Sequence, residues 1–342
     1  MRQNKSKLRD RVSLLARIAV SAAVLTAVIS KLGISDSSLP FFARLSGNVF
    51  AIFKKLGSIP QGIILLGMVL FSFSFLCVTV RWWIFLKDRG FKIKYASVVK
   101  YSLIGYLFNN IMPSTLGGDI IKGYYLHRDT KSAKKSAVFT IFIDRLTGAA
   151  ATFIFLLVGC LYLRNTIPLM KFVAVALLFF LVAFIAAAIV LDEKFLIKLS
   201  LYRKLPEEHP IKKLHSALFY YKRKGLPAFF AALFLSLFVQ IAIISVNYAI
   251  ITSLTGKSIP YGTFVCFVPL INVIQGLPVS FAGWGIGEAA YSVFFSMVSI
   301  TPEVSVTASL FYKLIMLLFG FIGLPFYVLN KPSEITRSEE RA

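Results

Sequence analysis

Asn110-Ile-Met-Pro113-Ser114-Thr115-Leu-Gly117-Gly118-Asp119 and, 165 residues further on, Gln275-Gly-Leu-Pro278-Val-Ser280-Phe-Ala-Gly283-Trp-Gly285-Ile-Gly287-Glu288 repeat one pattern inside apolar surroundings. Each places an amide side chain three residues before a proline, a hydroxyl one or two residues after it and a glycine five residues after it, with a carboxylate following. In a soluble protein this would be a loop. At membrane depth, broken backbone is tolerated only where it is buried in protein or lines a polar cavity. Paired interrupted segments in corresponding halves of a chain point to a transporter-like binding site.

The rest of the sequence sets that depth. Of 342 residues, 57% are hydrophobic and 15% charged, and the mean hydropathy is +0.77, a composition foreign to soluble domains. Apolar runs at Leu14–Ser30, Gly62–Leu86, Ala137–Leu163, Phe172–Leu191, Pro227–Leu254 and Val304–Leu329 approach or exceed the roughly 20 helical residues that cross a hydrocarbon core. Two further stretches, Val98–Leu126 and Tyr261–Ser299, contain the broken patterns. The first run follows Arg2, Lys5, Lys7, Arg9 and Arg11 without a clear cleavage motif, and is read as a retained helix rather than a signal peptide. Cys77, Cys160 and Cys266 lie within apolar runs and lack metal-ligand spacing, which suits buried small hydrophobes.

A net charge of +23 raises nucleic acid as a partner, and its distribution argues against one. The cations gather in the N-terminal tail, Arg81–Lys100, Lys122–Lys135 and Lys194–Lys224, whereas Arg164–Lys171 and Thr255–Pro260 are short and nearly neutral. This is the positive-inside asymmetry. It puts both termini in the cytoplasm and residues 31–60 outside, where Val49–Leu56 reads as an amphipathic interfacial helix. Residues 98–126 start and finish inside, as a hairpin with its tip near Pro113–Gly118; residues 261–299 form a second hairpin entered from outside. Three crossings separate the two, which inverts one relative to the other and brings both tips toward the midplane. Each hairpin could instead be a pair of full crossings.

The expected fold is therefore an all-α polytopic membrane bundle of about six full crossings plus two Pro/Gly-broken hairpins in an inverted repeat. A basic tail (1–11) precedes a single integral domain (12–330, halves 12–163 and 170–330), and a second tail (331–342) follows.

Ionisable groups inside membrane segments are costly and are functional hypotheses by default. Asp119, Glu288, Asp144 with Arg145, and Lys122 qualify, and Lys313 sits in the final run. Asp119 and Lys122 share a face if helix resumes after Gly118. In the functional reading, Lys122 and Arg145 hold an anionic headgroup while the acids bind a cationic part, relay protons or orient the bases. The alternative is a set of internal salt bridges, in which Asp144 and Arg145, pointing different ways, each need a separate partner. Gly117, Gly118, Gly283, Gly285 and Gly287 permit close approach and positive φ, and a helix restarting there offers free N–H groups to a phosphate; tight helix packing is the bland alternative. The Gly-rich run lacks the strand context of a nucleotide fingerprint. Arg81-Trp82-Trp83 reads as an interfacial anchor. His127, His209 and His215 have no metal spacing.

Arg81-Trp82, Asn110-x-x-Pro113-Ser114-x-x-Gly117-Gly118-Asp119, Asp144-Arg145 and Pro278-x-Ser280-x-x-Gly283-x-Gly285-x-x-Glu288 together resemble the lysylphosphatidylglycerol synthase transmembrane-region family, or flippase-like domain proteins, over residues 12–330. The resemblance implies a membrane unit that moves aminoacylated lipid between leaflets beside a cytosolic aminoacyl transferase domain, or, in stand-alone members, serves polyprenyl-lipid or envelope-glycolipid pathways. The chain departs from the pattern in having Lys122 where an arginine is common, Gly287 where an arginine often precedes the glutamate, and an end at Ala342. A lysine keeps the charge but not the bidentate fork, and lipid aminoacylation by this chain is not expected.

The expectation is a lipid translocase of the inner or plasma membrane, carrying an anionic phospholipid or a polyprenyl-phosphate-linked lipid, without cofactor or metal. A cytosolic lipid-modifying enzyme and a second copy of the chain are the conceivable protein partners. The alternatives are a membrane-embedded lipid-modifying transferase with Asp119 or Glu288 as base, and an accessory subunit of a lipid or envelope biosynthesis enzyme.

Overall fold

The computed structural model describes residues 2–32, 38–112, 117–130, 134–178, 225–277 and 279–329, with side chains for all of these but 2–14, 111 and 134–136. Every described element is helical: α1 Arg2–Ser30, α2 Phe41–Gly57, α3 Gln61–Asp88, α4 Tyr95–Ile111, α5 Gly117–Thr130 and α6 Lys134–Leu163. They continue with α7 Pro168–Leu178, α8 Leu226–Thr255, α9 Tyr261–Gln275, α10 Ile286–Ser296, α11 Pro302–Phe321 and α12 Gly323–Leu329. The chain is a helical membrane protein.

Prolines punctuate it. Pro40, Pro60 and Pro260 immediately precede α2, α3 and α9, and Pro227 and Pro302 lie in the first turns of α8 and α11. There a missing N–H costs nothing and the fixed φ is already helical. Gly256, with φ +63°, closes α8 by donating its N–H to the Thr252 carbonyl, as a left-handed C-terminal residue does.

Gln61–Asp88, Ala137–Leu163, Leu226–Thr255 and Pro302–Leu329 are long and apolar enough to cross a membrane. Their outer surfaces carry apolar stripes: on α3, Leu65, Val69, Phe73 and Leu76 follow helical spacing and are all exposed. Such stripes suit hydrocarbon rather than water.

At the centre α3 packs along α8. Hairpin α4–α5 lies against α6 and α11, and hairpin α9–α10 against α6 and α11. Phe71, Cys160, Ile244, Phe264, Phe267, Tyr291 and Phe311 form the largest core around α9 and α10, and Trp82, Leu86, Tyr101, Ile104, Tyr125 and Leu126 a second one around α4 and α5. α2 buries Asn48 and Ile52 against α1 and α11, while Phe42, Phe50 and Phe53 face outward. The interfacial segment expected at Val49–Leu56 is thus a longer amphipathic helix.

Three expectations need correction or extension. The basic segment is helical and continuous with the first apolar run: α1 runs from Arg2, because no glycine or proline interrupts the chain before Gly33. The last apolar run is two helices, broken at Ile322, where Pro325 cannot donate a hydrogen bond to the preceding turn. Arg81 and Trp82 are no interfacial anchor, since they are 6% and 1% exposed and face the interior. Most of the expected crossing Phe172–Leu191, the basic loop Lys194–Lys224 and the tail 331–342 lie outside the described residues.

Candidate functional site

The first break ends α4 at Ile111 and restarts helix at Gly117. Asn109 on α4 turns its amide oxygen to accept the Gly118 N–H at 2.8 Å, satisfying one of the free donors of the new helix. A Cβ at Gly118 would stand 2.0 Å from the Gly105 carbonyl oxygen, so only glycine lets α5 lie this close to α4. Asn110 donates to the carbonyls of Tyr106 and of Met316 on α11, at 3.1 and 3.4 Å. Pro113, Ser114, Thr115 and Pro278 lie outside the described residues.

The second break is built differently. Ala282, Gly283 and Gly285 have φ of +48°, +76° and +80°, a left-handed excursion that returns the chain to helix within a few residues. Glu288, wholly buried, accepts the Gly285 N–H at 2.7 Å. α1 closes the other side: Ser21 accepts the Phe281 N–H at 2.7 Å. Gln275 packs against Gly283 and Gly287, and Ser280 is buried with a hydroxyl unpartnered among the described residues.

Each helix restart has one backbone donor occupied by the protein's own side chains, Gly118 by Asn109 and Gly285 by Glu288. Positive φ occurs at Gly283 and Gly285, whereas Gly117, Gly118 and Gly287 serve close packing.

Three of the four cations, Arg81, Arg145 and Lys313, come from other helices. Arg145 grips Asp119 through two hydrogen bonds, Nε to Oδ2 at 2.6 Å and Nη2 to Oδ1 at 2.9 Å, with Lys122 Nζ 3.9 Å from Oδ1. Arg81 grips Asp144 in the same way at 2.6 and 2.9 Å and donates its remaining terminal nitrogen to Ser236 on α8 at 2.9 Å. Lys313 on α11 donates to Glu288 at 2.7 Å and to the Gly283 carbonyl at 3.0 Å, and its ammonium lies over the Trp284 ring. The neighbours Asp144 and Arg145 do point different ways, and each has its own partner. Buried ions with paired geometry avoid the several kcal/mol that an unmatched one costs.

The four cations and Asp144 line a cavity of about 650 Å³, with Asp119 and Glu288 paired to its cations but not on its wall. Asn109, Asn110 and Lys122 reach it from the first hairpin, Gln275, Ala282 and Trp284 from the second, with Arg81, Asp144, Arg145 and Lys313 between. Arg81, Lys122, Arg145 and Lys313 outnumber Asp119, Asp144 and Glu288 by one charge. Arg145 stands apart: its side chain is 47% accessible, against 7–8% for the other three cations. The arrangement presents an oriented guanidinium to an anion while carboxylates behind it balance most of the charge.

The comparisons agree with these motifs. Residues 14–323 match the lysylphosphatidylglycerol synthase TM region. The chain belongs to this family. It is also similar to the UPF0104 membrane protein of Methanocaldococcus jannaschii, 24% identical over an alignment of 281 residues that covers 77% of this chain and 83% of that one.

Within this member of the lysylphosphatidylglycerol synthase TM region family, Lys313 compensates one departure from the pattern. A Cβ at Gly287 would lie 3.0 Å from Lys313 Nζ, so a lysine from α11 fills the space beside the glutamate that a longer side chain at 287 would take. Arg81, Asn109, Ser236, Gln240 and Trp284 were not legible as site residues. The signal for Arg81 was available in principle: it sits seven residues before the end of α3, about 10 Å inside, and Asp144 needed a cation.

Proposed function

We propose that this protein is a lipid translocase of the cell membrane, with cytoplasmic termini, that passes an anionic phospholipid or polyprenyl-phosphate headgroup through the cavity while the acyl chains stay in lipid. The observation that carries the proposal is a net-cationic cavity lined by residues of both broken hairpins. Family membership ties the chain to membrane-lipid chemistry.

In this reading the hairpins are re-entrant. α4, α5, α9 and α10 have 17, 14, 15 and 11 residues; at about 1.5 Å per residue they span roughly 26, 21, 22 and 16 Å, less than a hydrocarbon core of about 30 Å. The halves α3–α6 and α8–α11 form the inverted repeat. Reciprocal packing supports it: α6 lies on α9 as α11 lies on α4. So do the ion pairs, because each hairpin acid is held by a cation on the next helix, 26 residues later for Asp119 and 25 for Glu288.

The mechanism is an exchange of partners. An incoming phosphate competes with Asp119 for Arg145, and Asp119 retains Lys122 as its second cation. When the anion leaves, the carboxylate takes the guanidinium back, so no charge is left bare at membrane depth. Rocking of one hairpin against the other changes the leaflet to which the cavity opens.

The test is translocation of a fluorescent anionic phospholipid in proteoliposomes, read by its accessibility to an external quencher. Asp119→Asn and Glu288→Gln should each lower the rate at least tenfold with expression intact. If both move lipid at the wild-type rate, the assignment of the site is wrong.

A further inference from the structure

Three of the four cations at the cavity are held by hydrogen bonds. Arg81 donates to Asp144 and Ser236, Arg145 to both oxygens of Asp119, and Lys313 to Glu288 and the Gly283 carbonyl. Lys122 is held differently. Its ammonium makes no hydrogen bond among the described residues. Asp119 Oδ1 lies 3.9 Å from Nζ and already accepts from Arg145, and the Trp82 ring centroid is 5.5 Å away. Yet the Lys122 side chain lines the cavity and is only 7% accessible, with its stem pressed against α4, where a Cβ at Gly105 would stand 2.8 Å from Lys122 Cε. The charged and titratable groups around it are Asp119 on its own helix, Asp144 and Arg145 on α6, Arg81 on α3 and Tyr106 on α4. An ammonium buried without close acceptors is costly. A lysine can relieve that cost by giving up its proton, whereas the arginine common at this position in the family cannot.

The charge count gives that proton a use. Without it, Arg81, Arg145 and Lys313 balance Asp119, Asp144 and Glu288 one for one. A singly charged anion that captures Arg145 disturbs this balance twice: it adds one negative charge, and it leaves Asp119 without its guanidinium. One proton on Lys122 answers both. We propose that Lys122 makes the carrier proton-coupled: its side chain holds a proton loosely in the empty cavity, binds one firmly as an anion takes Arg145, and returns it when the anion leaves. The step is protonation of a neutral amine by solvent, which reaches the site beside the half-accessible Arg145, and no other bond forms or breaks. Headgroup and proton then cross together, the cluster is neutral with the cavity empty or filled, and no net charge is carried through the membrane. This rests on the reading of the cavity as an anion site, and deepens it by adding the driving force, a pH gradient across the membrane.

The probe is short-chain phosphatidylmethanol, a phosphodiester whose single charge is constant from neutral to alkaline pH. Its binding to the purified full-length protein is followed by calorimetry in two buffers of different ionisation enthalpy, which counts the protons taken up per lipid bound. Wild-type protein should take up close to one proton per lipid at alkaline pH and fewer as the pH falls. Over the alkaline part of that range its affinity should drop by about tenfold per pH unit, as uptake of one proton requires. Lys122→Arg should bind the probe without proton uptake and with an affinity that does not follow pH. Uptake that persists in Lys122→Arg, or binding by wild-type protein without uptake from neutral pH to the alkaline limit of folding, overturns the proposal. Should Lys122→Arg fail to fold, Lys122→Gln decides, since uptake at alkaline pH should vanish there too, and its persistence is equally fatal. In proteoliposomes a pH gradient should drive a singly charged fluorescent phosphodiester lipid across, and a potassium diffusion potential should not; the reverse dependence overturns the coupling. Failure of the probe to bind wild-type protein at all would remove the anion site beneath this inference, whereas binding without proton uptake removes the coupling alone.

Discussion

The Asp119–Arg145 pair offers the sharpest energetic test. Its two hydrogen bonds, 2.6 and 2.9 Å long, put the charge centres about 4 Å apart, and at an effective dielectric near 20 that geometry corresponds to about 4 kcal/mol. Arg145 is 47% accessible, so solvent in the cavity screens the pair, and a coupling of about 2 kcal/mol is the reasonable expectation, between exposed and buried cases. The single variants should not be equivalent. Asp119→Asn strips the counter-charge from Arg145 and from the buried Lys122 together, whereas Arg145→Gln leaves Asp119 with Lys122 only 3.9 Å away. Asp119→Asn should therefore be the more destabilising by about 1 kcal/mol. Equilibrium unfolding in mixed detergent–SDS micelles, run on wild type, both single variants and the double variant, measures the cycle. A coupling below about 0.5 kcal/mol is within ordinary additivity, and would mean that the carboxylate and guanidinium do not hold each other; the partner-exchange mechanism would go with it.

Two further outcomes follow from packing. Gly118→Ala places a methyl 2.0 Å from the Gly105 carbonyl oxygen and should cost at least about 1–3 kcal/mol as an overpacking change, seen as loss of monodisperse protein on size-exclusion chromatography, whereas Gly62→Ala, with nothing within 4 Å, should be silent; equal behaviour would argue against the α4–α5 contact. Cys160 and Cys266 hold their sulfurs 3.6 Å apart between α6 and α9, so a mild copper–phenanthroline oxidant should give a Cys160–Cys266 cross-linked peptide by mass spectrometry, and a cross-link to Cys77 instead would contradict the packing of the second hairpin on α6.

Much of the architecture was readable in order. Helix depth follows from apolar length, and the breaks from proline and glycine, because both act on the local backbone whatever surrounds it. That is why the helix breaks fall within Val98–Leu126 and Tyr261–Ser299. Pairing was not readable. Arg81 sits beside two tryptophans, and in sequence that triplet is indistinguishable from a belt anchor; only the approach of α3 to α6 and α8 turns Arg81 onto Asp144 and Ser236. Gly287 looked like a missing cation until α11 delivered Lys313 to the same place. Lys122 beside Asp119 is thereby matched by Lys313 beside Glu288. Gln240 carries no sequence signal at all, since only the packing of α8 on α6 brings it to the cavity wall beside Thr152.

From its residues alone this chain is a helical membrane protein interrupted twice by the same polar break, since hydrophobic length and backbone stereochemistry are local and survive any change of neighbours. Which charge answers which was left to the tertiary structure. Electrostatic pairing depends on distances of a few ångströms between helices far apart in sequence, and those distances exist only once Asp119, Asp144 and Glu288 have met Arg145, Arg81 and Lys313 around one cavity.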